Sequence, residues 1–350
     1  MKRLIFEEDL ETITAALTKD AQVLTGKTVL MTGAAGFLGN YIVGVLQRFN
    51  KTLPQPCKII AIDNYLTGTK NQLVAINDPN IKTIEADVRF PLTISEPVDY
   101  IIHAAGLASP VYYKKYPLET LEVAVLGTKN MLELAKEKKA KSFLFFSSSE
   151  IYGDPDPNFI PTPETYRGNV SCLGPRACYD ESKRLGETLC MIYHQLHNVP
   201  VKIVRPFNVY GPGMKVNDYR VVPMFLTSAI AGKNLPVHDK GNQTRAFCYI
   251  TDATVGFLKV LLSSQNGEVY NVGSDAEEIN MVSLANMVAE LFDNKVKPEL
   301  IKYPETYPAD EPRRRSPDLT KIKTRLQYQP TIDLRNGLKR TLDWYREIIK

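Results

Sequence analysis

The sequence has no apolar run approaching the roughly 18–20 residues that a membrane helix needs, and it has no large excess of charge of one sign. Its 43 basic and 39 acidic side chains leave a formal net charge of +4, and the two kinds are interleaved along the chain. So small an excess is not typical of a nucleic-acid-binding protein. The composition therefore predicts neither a membrane partner nor a nucleic-acid partner.

Cysteine is scarce as well, and the five cysteines form no C-x-x-C pair. Their odd number argues against a disulfide framework, and no cluster of cysteine and histidine has the spacing of zinc ligands. The first residues, MKRLIFEEDLETIT, are acidic and lack the long apolar region of a secretion signal. These absences predict a cytoplasmic protein with reduced thiols and no metal site. The cysteines are Cys57, Cys172, Cys178, Cys190 and Cys248.

The 350 residues are 44% apolar, which is ordinary for a globular protein and excludes disorder as the main state. A chain of this length can form one large domain or two closely joined ones. Within residues 4–24, the side chains of Leu10, Ile13 and Leu17 fall near one face of a helix. We expect an N-terminal helical extension over residues 1–24 that packs on the domain surface.

Strands alternate with helices from Lys27 onward. Apolar and β-branched runs predict buried strands, and the stretches between them have helical periodicity. This alternation indicates βαβ units and an α/β fold with a Rossmann-type, doubly wound, mostly parallel sheet. The predicted strands cover residues 27–33, 58–63, 81–87, 98–105, 141–149 and 201–208, and the predicted helices cover residues 38–49, 119–138 and 177–197.

Turn-rich segments become denser after residue 208, which predicts a second, smaller lobe. We expect the NAD-binding Rossmann domain to comprise residues 25–208 and 245–274, with a short strand that leads into a helix at 245–252 and another strand at 267–274. Residues 209–244 and 275–350 would form the smaller, substrate-binding lobe. In such folds the ligands lie at the carboxyl ends of the strands, in the cleft between the lobes.

The first predicted strand leads directly into Gly33-Ala34-Ala35-Gly36-Phe37-Leu38-Gly39, which has the spacing G-x-x-G-x-x-G and opens a helix. Gly33 permits a tight turn, Gly36 lets the backbone approach a pyrophosphate, and Gly39 allows the helix to pack closely on the strand. The helix N-terminus offers free N–H groups to the phosphates. The run predicts a dinucleotide-binding loop, in which Phe37 and Leu38 also contact the cofactor.

Asp63 ends the second predicted strand, 24 residues beyond Gly39. A carboxylate there can accept both hydroxyls of the adenosine ribose and would repel a 2′-phosphate, which favours NAD over NADP; the alternative is that Asp63 caps a turn. Asp87, at the end of the third strand, is predicted either to meet the adenine amino group or to serve a simple turn. The other predicted cofactor contacts are Asn64, Val88, Ala104 and Ala105.

Tyr179 and Lys183 are four residues apart, which places them on one face of a helix. An ammonium about 4 Å from a phenol, at an effective dielectric constant of about 20, favours the phenolate by about 4 kcal/mol. We therefore predict that Lys183 lowers the pKa of Tyr179 from about 10 to near neutrality, where the phenol can act as a base. The alternative is a pair of exposed polar residues.

Ser148, Ser149 and Glu150 follow the strand at 141–149. A hydroxyl at this strand end can hydrogen-bond a substrate oxygen during hydride transfer, and Glu150 adds a carboxylate beside it. The alternative for Glu150 is a solvated loop acid. Strand ends at this cleft are nevertheless where catalytic groups collect.

Taken together, these motifs resemble the extended short-chain dehydrogenase/reductases of the nucleotide-sugar epimerase/dehydratase family, and among them most closely the UDP-glucuronate decarboxylases. The Tyr/Lys pair marks only the superfamily, whereas GPRACYDESKR and QTRAF are more specific. The segments that carry the resemblance are GAAGFLG (33–39), SSSEIYGDP (147–155), GPRACYDESKR (174–184), NDYRVV (217–222), GNQTRAFCYITD (241–252) and RRRSPD (313–318).

The resemblance implies roles for the residues after the fifth strand. Ser148 occupies the position of the family's catalytic Ser/Thr. The 4,6-dehydratases carry Asp-Glu next, whereas this chain has Ser149-Glu150, as the decarboxylases do. Without the Asp, no acid stands there to protonate a departing 6-hydroxyl, which argues against dehydration; the 4-epimerases usually lack the Glu.

The resemblance also implies substrate contacts in the second half of the chain. Arg315 would face the sugar carboxylate, and Arg245 would bind the pyrophosphate because a guanidinium suits phosphate oxygens. Asn208 would contact the nucleotide. Residues from Arg220 to Val222 would line the uracil pocket.

By resemblance, the chain would be an NAD-dependent enzyme that decarboxylates UDP-glucuronate to UDP-xylose through a 4-keto intermediate. A nucleotide-sugar 4-epimerase or 4,6-dehydratase is the alternative within the enzyme class, and a non-catalytic NAD-binding scaffold is the alternative outside it. The resemblance further implies a homodimer, in which the helices at 119–138 and 177–197 form a four-helix bundle.

Overall fold

The structure is a computed structural model that describes residues 4–68, 77–303 and 312–349. Its strands, numbered in chain order, are β1 (Thr28–Thr32), β2 (Lys58–Asp63), β3 (Ile81–Glu85), β4 (Tyr100–His103), β5 (Ser142–Phe146), β6 (Val201–Pro206), β7 (Val209–Tyr210), β8 (Leu235–His238), β9 (Thr244–Ala246), β10 (Cys248–Tyr249), β11 (Glu268–Val272), β12 (Glu278–Asn280), β13 (Pro298–Ile301) and β14 (Arg314–Arg315).

The helices are α1 (Leu4–Leu17), α2 (Phe37–Phe49), α3 (Pro110–Lys115), α4 (Pro117–Glu122), α5 (Thr128–Lys138), α6 (Ala177–His197), α7 (Val221–Ile230), α8 (Ile250–Leu262), α9 (Met281–Glu290), α10 (Thr320–Leu326) and α11 (Leu334–Ile348). Short 3₁₀ turns occupy Asp20–Leu24, Ser149–Tyr152 and Pro157–Phe159. In the ranges described, none of these helices is both long and apolar enough to span a membrane.

One parallel sheet carries the first half of the fold, with the strand order β11-β6-β5-β4-β1-β2-β3. Every neighbouring pair in it is parallel. The strand order reverses at β1, which lies between β2 and β4 and is buried along its whole length. This arrangement confirms the predicted Rossmann-type, doubly wound sheet, and it places the loops after β1, β4 and β5 at one end of the sheet.

Two predicted helices differ from the structure. The helix expected over 119–138 is interrupted, because a π-type turn at Val123–Gly127 separates α4 from α5. Gly127 lies so close to Val88 that a Cβ atom there would be 2.9 Å from a valine methyl, and periodicity alone does not reveal such a turn. At the N-terminus, α1 ends at Leu17 and a 3₁₀ turn follows.

Small sheets join the distant parts of the C-terminal half. The run at 245–252, expected as one strand and a helix, divides into β9, β10 and the start of α8. β9 pairs with β12 on one side and β14 on the other, which puts Arg245 opposite Arg315. β10 pairs with β7, and β8 pairs with β13. β11 extends the main sheet, while the division of the chain into two lobes stays a prediction.

The N-terminal helix is held by a buried carboxylate. Asp9 on α1 is only 1% exposed. It accepts hydrogen bonds from the hydroxyls of Tyr41 and Tyr249, each at 2.9 Å, and from the guanidinium of Arg340 at 2.8 Å. These partners lie on α2, in β10 and on α11, so one carboxylate ties the first helix to three separate elements.

A second buried charge lies within the main sheet. Lys202 on β6 is 1% exposed, and its ammonium donates a hydrogen bond to the hydroxyl of Ser142 at 2.8 Å. Burial lowers the pKa of Lys202 to about 8. The unfolded chain therefore holds this proton more tightly than the folded protein does, and below pH 8 the buried ammonium weakens the fold.

We expect Lys202→Met to raise the free energy of unfolding at pH 7 by about 1–3 kcal/mol, since it removes a desolvated charge. The gain shrinks as the pH rises from about 8 towards 10.5, where the lysine is neutral in both states. Urea unfolding of both proteins at several pH values measures it. Lys233→Met, at an exposed position, is the control, and a gain that does not change with pH contradicts the prediction.

Candidate active site

The glycine loop after β1 has the geometry that its sequence predicts. Gly33 has a φ of +71°, and a Cβ atom there would lie 2.8 Å from the backbone of Ala104 and Ala105 after β4. At Gly39 a Cβ atom would overlap the carbonyl oxygen of Gly33. Gly36 immediately precedes α2, and Phe37 and Leu38 form its first turn. The loop is therefore pressed between two strand ends and a helix N-terminus.

Asp63 fastens this loop to the second strand. Its carboxylate accepts hydrogen bonds from the amides of Ala35 at 2.9 Å and Tyr65 at 2.8 Å. Burial raises the pKa of Asp63. The side chain thus fixes the loop and also lies at the strand end where a ribose would bind, so the turn-capping alternative and the predicted cofactor role are compatible. The ribose contact stays a prediction.

Asp87 lies beyond the end of β3 and is paired with a cation that the sequence analysis did not consider. Arg89 donates to both of its carboxylate oxygens, at 2.9–3.1 Å. The amide of Asn64 approaches the same carboxylate at 3.4 Å. Val88 is buried. The contacts of these residues with adenine stay a prediction.

Tyr179 lies on the first turn of α6, beside the end of β5. It is 5% exposed, and the hydroxyl of Ser148 lies near enough to its phenol to act on the pKa of Tyr179, which it lowers. The amide of Glu150 donates to the Ser148 hydroxyl at 3.2 Å. The ring of Tyr113 stacks on the Tyr179 ring with centroids 5.5 Å apart. The structure therefore brings two predicted catalytic residues, Tyr179 and Ser148, close together, and the ring of Tyr113 orients the phenol.

Lys183 lies one turn further along α6, with its ammonium between the ends of β4 and β5. It donates a hydrogen bond to the carbonyl of Phe146 at 2.7 Å, and it lies 5.9 Å from the centre of the Tyr179 ring. A Cβ atom at Gly106 would be 3.3 Å from it. Lys183 is buried, and burial lowers its pKa to about 8.

The predicted lowering of the pKa of Tyr179 by Lys183 is wrong for this arrangement. Burial raises the pKa of Tyr179 to about 12, although the hydrogen bond to Ser148 and the charge of Arg220 act in the opposite direction. The spacing argument placed the two side chains on one face correctly. It could not show that the ammonium points to a backbone carbonyl and that the phenol is desolvated.

Two arginines converge on Glu150. Its Oε2 atom accepts a hydrogen bond from Nη2 of Arg315 at 2.6 Å and a second from Nη2 of Arg176. Arg176 also reaches Asp180, whose Oδ2 atom lies 3.4 Å from its Nε atom. We call these four side chains the charge cluster. It lies within two residues of Ser148 and directly beside Tyr179 in the sequence, so the reacting hydroxyls have fixed charges as neighbours.

The remaining predicted substrate residues differ in their burial and in their partners. Arg220 precedes α7 and forms an ion pair with Asp218 at 2.6 Å. Val222, in the first turn of α7, is buried. Arg245 is 6% exposed and donates to the carbonyl of Thr244 at 2.8 Å. Their substrate contacts stay a prediction.

Asn208 and Ser149 complete the predicted set. Asn208 has a φ of +40° and donates to the carbonyl of Ala246 at 3.0 Å, which connects the end of β6 to β9. Ser149 is 2% exposed and opens the 3₁₀ turn that carries Glu150. The nucleotide and sugar contacts of both residues also stay predictions.

Three residues of the site were missed by the sequence analysis: Tyr113, Arg176 and Asp180. Arg176 and Asp180 stand inside GPRACYDESKR, so the segment was noticed but its charges were not. Their spacing of four residues signals an Arg–Asp pair. Tyr113 lies 66 residues before Tyr179, and nothing in its local sequence marks the ring contact.

Comparison with known proteins defines the class. A family model described as the NAD dependent epimerase/dehydratase family matches residues 29–273. The chain belongs to this family, as the resemblance implied, and NAD is the family's cofactor. The residues present fit that cofactor, because the cradle at Gly33, Gly36 and Gly39 leaves no room for side chains and ends at a helix N-terminus.

The relatives refine this assignment. UDP-glucuronic acid decarboxylase 5 of Arabidopsis thaliana is 42% identical over 311 residues, which cover 89% of this chain and 86% of the relative. UDP-glucuronic acid decarboxylase 1 of Xenopus tropicalis is 37% identical over 322 residues, 92% of this chain and 72% of the relative. A UDP-glucuronic acid 4-epimerase from Bacillus cereus, solved with UDP-glucuronic acid and NAD, has a TM-score of 0.78 at 25% identity, covering 92% of this chain and 99% of its own.

We expect Gly39→Ala to weaken NAD binding about 10- to 100-fold, since overpacking at a backbone contact costs about 1–3 kcal/mol. Gly44→Ala is the matched control, because it lies in the same helix and its Cβ atom would meet only the flexible end of Leu10, at 3.0 Å. Calorimetric titration with NAD measures both affinities. Equal affinities for the two folded variants contradict the prediction.

Proposed function

We propose that this protein decarboxylates UDP-glucuronate to UDP-xylose, with NAD as a cofactor that is regenerated in each cycle. The observation that carries the proposal is the contact between Glu150 and Arg315 beside the Ser148–Tyr179 pair. It places a cation and a carboxylate next to the hydroxyls that would act on the sugar. The relatives at 37–43% identity, all named UDP-glucuronic acid decarboxylases, support it.

The first task of the site is to take the proton from the 4-hydroxyl of the sugar. Tyr179 is the acceptor, and Ser148 bonds the same sugar oxygen. Because burial raises the pKa of Tyr179 to about 12, the phenol needs nearby positive charge to lose its own proton. The charge of Arg220 supplies part of it. NAD, when bound, supplies the acceptor that takes the hydride from C4 and later returns it, and its oxidised ring adds positive charge.

The second task is the loss of CO₂. The 4-keto acid carries its carboxylate on C5, the carbon next to the C4 ketone, so the C5–C6 bond can break with its electron pair passing into the carbonyl as an enolate. Tyr179 and Ser148 stabilise the enolate oxygen by hydrogen bonds. Arg315 orients the departing carboxylate, and Glu150, directly or through water, helps to transfer a proton from solvent to C5.

A 4-epimerase and a 4,6-dehydratase remain the alternatives within the same family. Ser149 stands where a dehydratase would have the acid that protonates a leaving 6-hydroxyl, and it is 2% exposed. An arginine bonded to Glu150 suits a carboxylated sugar better than a neutral hexose. Both observations favour decarboxylation.

The test is incubation of the NAD-loaded protein with UDP-glucuronate, with CO₂ and the nucleotide sugars measured by mass. We expect CO₂ and a UDP-pentose, and Tyr179→Phe lowers the rate about 10²–10⁴-fold because the acid–base group is lost. Release of UDP-galacturonate without CO₂ identifies an epimerase, and a 4-keto-6-deoxy product from a TDP- or GDP-hexose identifies a dehydratase. Unchanged CO₂ release by the Phe variant contradicts the role of Tyr179, and no product from any nucleotide sugar supports a scaffold.

We also propose that two copies of the chain associate through α4 and α6. Both helices carry exposed apolar side chains, and α6 presents Leu185, Ile192 and Leu196 along one face. Leu196 is 70% exposed, and so is Leu118 on α4. A helical face of this kind is typical of a packed interface rather than of a solvated surface.

The cytoplasmic location expected from the sequence also stays a prediction.

Leu185→Glu combined with Leu196→Glu is expected to convert a dimer into a monomer, because two buried carboxylates per copy would be desolvated at the interface. Light scattering coupled to size exclusion measures the mass. Leu300→Glu, which changes an equally exposed leucine on β13 (62% exposed), leaves the dimer intact. A monomeric starting protein, or a dimer that survives the double substitution, refutes the proposed interface.

A further inference from the structure

The charge cluster of Glu150, Arg176, Asp180 and Arg315 balances two positive against two negative charges in a nearly dry space. The side chains of Arg176 and Asp180 are 5% and 6% exposed, and that of Arg315 is 7% exposed. Glu150 is the most accessible member, at 18%. Charges this buried respond strongly to any further charge, because little water is present to screen it.

Two atoms of the cluster lack a hydrogen-bond partner in the described part of the chain. One is Nε of Arg315, and the other is Oδ1 of Asp180. The first is a donor suited to an incoming carboxylate. The second is an oxygen that can carry a proton without breaking the contact that Oδ2 makes with Arg176. The cluster therefore has a place for an anion and a place for a proton.

A uronic acid brings one more negative charge to Arg315. The cluster would then hold three carboxylates against two guanidinium groups. A buried excess charge of this kind is costly, and the usual remedy is protonation of the least stabilised carboxylate. Glu150 accepts hydrogen bonds from two arginines, whereas the side chain of Asp180, among the residues that the structure describes, has the longer contact to Arg176 as its one hydrogen bond. Asp180 is thus the group that gains the proton most readily.

We propose that Asp180 takes up a proton from water when the carboxylate of the sugar binds at Arg315, and gives it up after that carboxylate has left as CO₂. The inference rests on the proposed function. It assigns Asp180 a positioning role through charge: the residue does not touch the sugar, but it decides whether the cluster accepts an anionic one.

The electrostatics of the cluster agree with this assignment. Burial and the charge of Glu150 together raise the pKa of Asp180 to about 7, although Arg176 and Arg315 act in the opposite direction. Tyr179 and Cys178 are the neighbours of Asp180 on α6, and the charge of Asp180 raises the pKa of each. Both are neutral at pH 7–8, since burial raises their pKa values. A third carboxylate shifts Asp180 further towards its neutral form.

The proton balance of the reaction is consistent with this uptake. Loss of CO₂ from a carboxylate, followed by protonation at C5, consumes one proton per turnover. Because CO₂ leaves as a neutral molecule, the negative charge passes to the enolate and disappears when C5 is protonated. The cluster then returns to two carboxylates against two guanidinium groups, and Asp180 can ionise again.

The test compares UDP-glucuronate with UDP-glucose, which differ only in the carboxylate. The NADH-loaded protein binds both without oxidising them, and calorimetry at pH 8 in buffers of different ionisation enthalpy gives the number of protons taken up. We expect about 0.5–1 more proton for UDP-glucuronate than for UDP-glucose. Equal proton uptake for the two ligands overturns the proposal.

Asp180→Asn is expected to abolish this difference and to bind UDP-glucuronate about tenfold more tightly at pH 8, because no proton has to be collected. Its affinity for UDP-glucose does not change. Glu181→Gln, at the adjacent and 39% exposed acid, is the matched control and keeps the difference. A merely structural role for Asp180 would weaken both ligands alike, which contradicts the proposal.

The two proposals fail in different ways. If the NAD-loaded protein releases CO₂ from UDP-glucuronate but shows no additional proton uptake, the role of Asp180 is wrong and the proposed function stands. If UDP-glucuronate neither binds nor releases CO₂, the proposed function fails, and the role of Asp180 fails with it. The comparison of ligands uses the unaltered protein, so it remains decisive even where Asp180→Asn does not fold.

Discussion

The contact between Glu150 and its two arginines is the constraint on which the rest of the site depends. Glu150 follows β5, Arg176 precedes α6, and Arg315 lies on β14, so one carboxylate joins three segments that are far apart in the sequence. A buried carboxylate with two guanidinium partners is stable only while both remain in place. The same contact therefore fixes the turn that carries Ser148, the first turn of the helix that carries Tyr179, and the small sheet that carries Arg245.

The two ends of the site are built by different physical means. At the cofactor end, backbone packs on backbone: Gly33 and Gly39 have no side chains because neighbouring main-chain atoms fill that space. At the sugar end, charged side chains compensate one another in a dry environment. The backbone packing at the cofactor end is rigid and contains no titratable group. The charged side chains at the sugar end change their protonation when another charge binds beside them. Cofactor binding and substrate selection are thereby separated within one cleft.

The sequence allowed much of this to be predicted, but not the environment of each group. The sheet, the glycine loop and the placement of Tyr179 and Lys183 on one helix face follow from periodicity and motif spacing, which are local properties, and the resemblance implied the role of Ser148. The pKa of Tyr179 depends on burial and on where Lys183 points, and both are set by tertiary packing. Tyr113 could not be found because its stacking partner is remote in the chain. The pairing of Arg176 with Asp180 could have been predicted, since the two residues are four positions apart and Asp180 directly follows Tyr179.

The buried carboxylate of Asp9 links the first helix to the last. Its partner Arg340 lies 331 residues later in the chain, and Tyr249 lies 240 residues later. During synthesis at about 5–20 residues per second, α1 leaves the ribosome roughly 15–70 s before α11, so part of its docking surface is missing until α11 has been made. We therefore expect α1 to reach its native place late, and a nascent chain that lacks α11 would hold the carboxylate of Asp9 without its guanidinium partner.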